Sequence, residues 1–198
     1  QYLPDGKALK QISVTVNPTT TVYTFTHKTC DLTVTFLTPL LMDRLEVMTR
    51  PVSYIFYEIT PKEEGHSFEV YFDASAELTG DLIGQDFVAK AEEGHVSIGG
   101  ADQKILNRSG DDLRIDWGYF YLSVAGGEVA YTAREASDDG MAYLCAEACV
   151  EESALFTFAY DDIESIQYFG DNLKAYWKQG GKTIEAALAE AAADYEET

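Results

Sequence analysis

The feature that most constrains this chain is a period-two alternation of apolar and polar residues, renewed many times before residue 160. Ile12, Val14 and Val16 alternate with polar partners, and Val22 to Thr26 continues as Val-Tyr-Thr-Phe-Thr. Leu32, Val34 and Phe36 alternate with threonines. Similar runs occupy Val52–Ile59, Phe68–Phe72, Arg114–Val124, Val129–Ala133, Tyr143–Val150 and Ala154–Tyr160. Successive side chains of a strand point to opposite faces, so this pattern in β-branched and aromatic residues marks strands with one buried face. Turn residues punctuate the runs at Glu64-Gly65, Gly99-Gly100, Ser109-Gly110-Asp111-Asp112, Gly126-Gly127 and Asp138-Asp139-Gly140. Many short punctuated strands predict a mainly β, antiparallel sandwich or barrel.

Two segments break the pattern. Pro39 to Pro51 holds Leu-Leu-Met-Asp-Arg-Leu-Glu-Val-Met, which reads as a short helical turn or an irregular crossover. Lys182–Glu197 places Ile184, Ala187, Leu188, Ala191 and Tyr195 on one stripe, with Thr183 as its cap and Gly180-Gly181 before it. Sixteen helical residues span about 24 Å, and a lone helix of that length is marginal in water. It therefore folds back on the sandwich or opens a following helical domain. The expected division is 1–180 for the β domain and 181–198 for the helix. The 198 residues suffice for one substantial core.

Charge removes some partners. The formal charge is −20, with 34 acidic residues against 14 basic ones and no basic cluster. Phosphate backbones are bound by Lys and Arg that displace counterions, so nucleic acid and anionic membrane surfaces are poor partners. No apolar run is long enough to span a bilayer, and no N-terminal signal pattern is present. The chain starts at Gln1 rather than Met, as a processed or excised product does. Cys30, Cys145 and Cys149 have neither CxxC nor zinc spacing. On one strand, Cys145 and Cys149 would lie about 13 Å apart, too far for a disulfide, so buried free thiols are expected.

No local catalytic set stands out. His27, His66 and His95 sit beside turns or strand ends, outside any HExxH pattern, and read as surface or turn histidines. No nucleophile elbow, phosphate loop or dinucleotide fingerprint is present. No catalytic, cofactor-binding or metal-ligating residue is assigned, and no cofactor is expected. Asp116-Trp117-Gly118-Tyr119 and Tyr160-Asp161-Asp162-Ile163 pair carboxylates with aromatics. Neighbouring strand residues face opposite ways, so Asp161 and Asp162 do not form a dyad, and turn-capping is their ordinary role. Aromatic density rises again at Tyr168, Phe169, Tyr176 and Trp177, within a Gln167–Trp177 stretch too polar and irregular for a simple strand. Asp116, Trp117, Asp161, Asp162, Tyr168, Tyr176 and Trp177 make the candidate interdomain or pocket-rim set.

Several stretches resemble the N-terminal domain of the glutaminase A family, found in secreted fungal glutaminases and related bacterial proteins. They are Val16–Phe25, Leu32–Pro39, Arg50-Pro-Val-Ser-Tyr54, Val70–Glu77, Asp116–Tyr119, Tyr160–Ile163, and Ser165–Gly170 through Tyr176-Trp177. The resemblance implies a large, supersandwich-like β-sandwich preceding an (α/α) toroid, with the C-terminal helix leading toward that absent domain. It also implies an extracellular or periplasmic protein. On this basis the chain is expected to be a non-catalytic support domain of a glutaminase-like amidohydrolase. Its partners would be the C-terminal helical domain of the same polypeptide and a small-molecule substrate at the interdomain face. Two other expectations are an accessory sandwich of a glycoside hydrolase with a toroid, and a carbohydrate-binding module. The last requires exposed aromatics, Trp177 foremost.

Overall fold

A computed structural model describes residues 7–81, 84–110, 114–134 and 141–198. The turn signals at Asp111-Asp112 and Asp138-Asp139-Gly140 lie outside these residues. The fold is mainly β and antiparallel, as the alternation requires. Its strands are β1 (Lys10–Val16), β2 (Thr20–Thr26), β3 (Cys30–Leu37), β4 (Val52–Pro61), β5 (Phe68–Ser75), β6 (Phe87–Glu92) and β7 (His95–Gly100). They continue with β8 (Tyr119–Ala125), β9 (Glu128–Arg134), β10 (Tyr143–Val150), β11 (Ser153–Asp161), β12 (Ile166–Tyr168) and β13 (Asp171–Leu173). Eight of them form one sheet in the order β1-β2-β3-β4-β11-β8-β7-β6. A second sheet has the order β5-β10-β9, and β12-β13 stands apart as a hairpin.

Three layers result. On one face of the large sheet, Ile55, Val96, Ile98, Leu122 and Phe156 meet Val70, Leu144, Ala146 and Ala148 of the small sheet. On the other, Leu37, Val52, Tyr54, Leu155 and Ala159 meet Trp177, Ile184, Ala187, Leu188 and Ala191. The last four lie on helix α2 (Ile184–Ala193), which therefore folds back on β4 and β11. Fully burying an Ile or Leu is worth about 1.5–3 kcal/mol, which explains why so short a helix stays docked. Thr183 caps it by accepting from the Ala186 N–H at 3.4 Å. The central strands are apolar on both faces: Phe156 pairs with Ile55 on one side, and Leu155 with Phe56 on the other.

The Pro39–Pro51 crossover contains one helical turn, α1 (Leu45–Met48). Gly99 and Gly100, read as a turn, lie inside β7. A Cβ on Gly99 would stand 2.4 Å from the Tyr119 ring and 2.6 Å from the Gly118 carbonyl, so close packing rather than a turn accounts for that glycine. The expected strand from Arg114 begins only at Tyr119, because Gly118 takes φ +91° and breaks the extended run. His95 is buried at 5% exposure, not superficial, and packs on the Tyr121 ring at 5.6 Å. Cys149 is exposed and Cys145 half-buried, so the expected burial of the thiols fails at the outward-facing positions of β10.

Candidate functional site

The loop entering β8 and the corner leaving β11 fold onto each other. Tyr160 donates its hydroxyl to the Trp117 carbonyl at 2.7 Å, and the Trp117 indole N–H reaches the Glu164 carbonyl at 3.4 Å. Between these bonds Gly118 presses on the corner, where a Cβ would lie 2.4 Å from the Asp161 carbonyl oxygen. Asp161 closes the corner by accepting from the Ile163 N–H at 2.8 Å, which holds Ile163 at φ +63°. Lys178 pairs with Asp161 and donates to the Ile163 carbonyl at 2.9 Å. Its ammonium also stands 5.2 Å from the Trp177 ring centre. The structure thus gathers Asp116, Trp117, Asp161 and Asp162 around Tyr160, with Trp177 linked through Lys178.

Electrostatics at this corner follow from burial. Desolvation pushes the Tyr160 hydroxyl up to about 12, and the Asp162 and Asp116 carboxylates add to the rise. Asp116 is only 3% exposed. Arg108, which the sequence reading did not single out, supplies its counter-charge at 3.1 Å and bridges to Asp81. The other Asp116 oxygen, Oδ1, has no hydrogen-bond partner among the described residues. Asp116 and Asp161 are each held by a basic side chain: Lys178 ties its loop to the end of β11, and Arg108 joins Asp116 to the loop of Asp81. No cluster of three or more His, Cys, Asp or Glu side chains with metal-binding geometry occurs among the described residues.

Tyr168 and Tyr176 belong elsewhere. Tyr168 lies on the β12-β13 hairpin at 61% exposure, beside Phe169, which is 92% exposed, with ring centres 4.5 Å apart. Register pairs Ile166 with Leu173 and Tyr168 with Asp171. Ile166, Tyr168 and Leu173 therefore share one face of the hairpin, and all three are exposed. The opposite face is polar, where Gln167 donates to Asn172 at 3.0 Å and Asn172 donates to Glu164 at 2.7 Å. Tyr176 is exposed at the start of a short 3-10 turn. Trp177, at 5% exposure beneath α2, has no face to offer a sugar ring, which removes the Trp177-based form of the binding-module expectation.

Comparison with known proteins supplies a family. Residues 19–148 match a domain family described as a domain of unknown function, DUF5127, and the chain belongs to it. No curated protein matches the chain. Among solved structures it resembles a putative kojibiose phosphorylase from human microbiome, with 7% identity and a TM-score of 0.41 over 90% of this chain. Likeness at that level carries no argument about activity. The chain spans about a fifth of the length of that structure.

The glutaminase A assignment is overturned by these findings. Four of the stretches that carried it, Leu32–Pro39, Arg50–Tyr54, Val70–Glu77 and Asp116–Tyr119, fall inside the span that matches DUF5127. The reading as part of a glutaminase-like amidohydrolase is withdrawn with it. No helix among the described residues is long and apolar enough to cross a membrane.

Proposed function

We propose that this chain is an accessory β domain of a larger carbohydrate-active polypeptide, and that it docks through the β12-β13 hairpin onto a helical domain of the same polypeptide. One observation carries the docking half: a two-stranded hairpin whose large apolar residues, Ile166, Tyr168 and Leu173 on one face and Phe169 at its tip, are all exposed. An isolated hairpin is marginal in water, and contiguous apolar surface of this kind marks an interface. The Asp161–Lys178 corner fixes its base, so the hairpin projects from a rigid mount. The carbohydrate half rests on analogy with sandwich domains that accompany sugar-cleaving enzymes.

Hydrogen exchange on the longer polypeptide and on this chain alone tests the docking. The hairpin amides are expected to exchange slowly in the former and quickly in the latter. Equal exchange rates in both would sink the docking reading. Screening the longer polypeptide against α-glucosides tests the parent class, and a lack of sugar cleavage or phosphorolysis across the panel counts against it.

A further inference from the structure

An eight-stranded sheet is faced on one side by only three strands, and the mismatch leaves a defined surface open. The small sheet packs over β6, β7, β8 and β11. Strand β5 forms its margin, and no strand among the described residues pairs with the outer edge of β5. Beyond that margin the same face of the large sheet continues outward. Register places Ile55 beside Phe36, Phe36 beside Thr21, and Val14 beside Tyr23 on it. Phe36, Val14 and Val16 are exposed there. A groove of about 780 Å³ results, with Phe36, Ile55, Phe120 and Phe158 among its lining and Phe72 of β5 as one wall. Phe72 sits edge-on to Phe158 at 4.8 Å.

Two observations say what fits this place. β5 pairs with β10 over eight residues without a bulge, which gives a straight edge of roughly 27 Å that no strand among the described residues joins. The outward backbone N–H and C=O groups of an edge strand beside an apolar groove recognise an extended strand, whose alternate side chains enter the groove. The second observation is charge. Phe68, Val70, Phe72 and Ala74 face inward, so Glu69, Tyr71 and Asp73 face out. Register lines Glu69 up with Cys149 and then Glu128 across the sheet, and Tyr71 with Glu147. The outward side is acidic, on a chain of net charge −20. A second copy fits poorly, because it brings another net charge of −20 to the same acidic side.

We propose that the β5 edge is a β-augmentation site for a partner strand that alternates apolar residues, buried in the groove, with Lys or Arg residues facing Glu69 and its acidic neighbours. The strand extends the small sheet over the open half of the large one. This site is separate from the β12-β13 hairpin and stands whether or not the hairpin docks.

The test uses the nitrogen-15-labelled chain and a capped eight-residue peptide alternating valine and lysine, followed by amide NMR shifts. The peptide is expected to shift the β5 amides and those of the groove lining. The same peptide N-methylated at alternate residues keeps its charge but loses backbone donors, and should bind at least tenfold more weakly. A valine–glutamate peptide should leave the spectrum unchanged, and Glu69→Lys should weaken the lysine peptide about threefold or more. Equal binding by the N-methylated peptide would mean attraction to a polyanion only, and would overturn the proposal. So would shifts confined to the hairpin around Tyr168, or sedimentation showing a dimer of the chain alone with protected β5 amides. Should Glu69→Lys fail to fold, the comparison of the two lysine peptides on the unaltered chain still decides.

Discussion

Arg50 reaches Asp194 at 2.9 Å from inside the protein, joining the loop before β4 to the C-terminal end of α2. The guanidinium side chain is 3% exposed, while the carboxylate is partly open to water. A second nitrogen of Arg50 donates to the Tyr54 hydroxyl at 3.2 Å, and Tyr54 donates onward to the Ala191 carbonyl at 3.1 Å. The last turn of a helix exposes unpaired carbonyls and the negative end of its dipole, so a cation and a hydroxyl there satisfy both. Helix α2 is thus held by a polar clamp at one end as well as by its apolar stripe.

Removing the clamp should be costly. Arg50→Ala removes charged hydrogen bonds to Tyr54 and Asp194 and leaves the Asp194 carboxylate to water, so about 1.5–3 kcal/mol is expected. Asp194→Asn keeps a hydrogen-bond acceptor at a partly solvated position, so about 1–2 kcal/mol is expected. Urea unfolding of the three proteins checks the ranking. Equal stability of Arg50→Ala and the unaltered chain would show that the clamp contributes nothing.

Gly118 and Gly126 make a controlled comparison. Both hold positive φ, +91° and +83°. At Gly126 an added Cβ meets nothing within 4 Å, whereas at Gly118 it meets the Asp161 carbonyl at 2.4 Å and the Asp162 Cα at 3.0 Å. Gly126→Ala should cost only the backbone term of about 1–2 kcal/mol. Gly118→Ala adds a clash with backbone that cannot swing aside, and about 2–5 kcal/mol is expected in total. Thermal or urea melts distinguish the two.

Much of this arrangement was legible in the sequence, and the remainder failed for identifiable reasons. Tyr143–Val150 alternates cleanly because its strand buries one face only, and its bounds agree with β10. The stripe on α2 was visible, but that it lies on Tyr54 and Leu155 depends on a sheet apolar on both faces. Strands β6 and β7 are not among the runs that the alternation marks, since β7 is buried at every position and ends in Gly99-Gly100, which looks like a turn until Tyr119 is placed beside it. Asp116 and Asp161 stand out in the sequence as carboxylates near aromatics. Their cations, Arg108 and Lys178, come from distant or irregular segments that carry no periodic signal. Cys149 was expected inside because cysteine usually is, yet β10 parity turns it outward with Glu147.

Alkaline pH should loosen the Trp117–Tyr160 corner. The Tyr160 hydroxyl is raised from 10.0 to about 12 in the folded chain. Between these values the unfolded chain has released its proton while the folded chain keeps it, so fewer protons are bound when unfolded and stability falls as pH rises. The stabilisation is complete below pH 10 and is lost on the way to about pH 12. Tyr57, also pushed up to about 12 by burial, adds a loss of the same sign. Tyr160→Phe should be less stable at neutral pH, through loss of its bond to Trp117, and should show a shallower decline between pH 10 and 12. Denaturant melts across that range decide, and parallel slopes would mean that Tyr160 titrates normally.

The hairpin offers the sharpest separation of interface from core. Phe169 is 92% exposed and holds φ +48°, a conformation that costs a bulky residue strain yet is tolerated at the tip. Its ring contact is with Tyr168, itself exposed. Phe169→Asn therefore removes an exposed apolar ring and installs a residue at ease in that backbone region. The chain alone should change stability by no more than about 0.5 kcal/mol, or gain slightly. Its self-association at high concentration should fall, because the aromatic pair with Tyr168 is broken. Urea melts and sedimentation velocity on the isolated chain measure both effects. A loss above 2 kcal/mol would place Phe169 in a packed environment and take away the free apolar face on which docking depends.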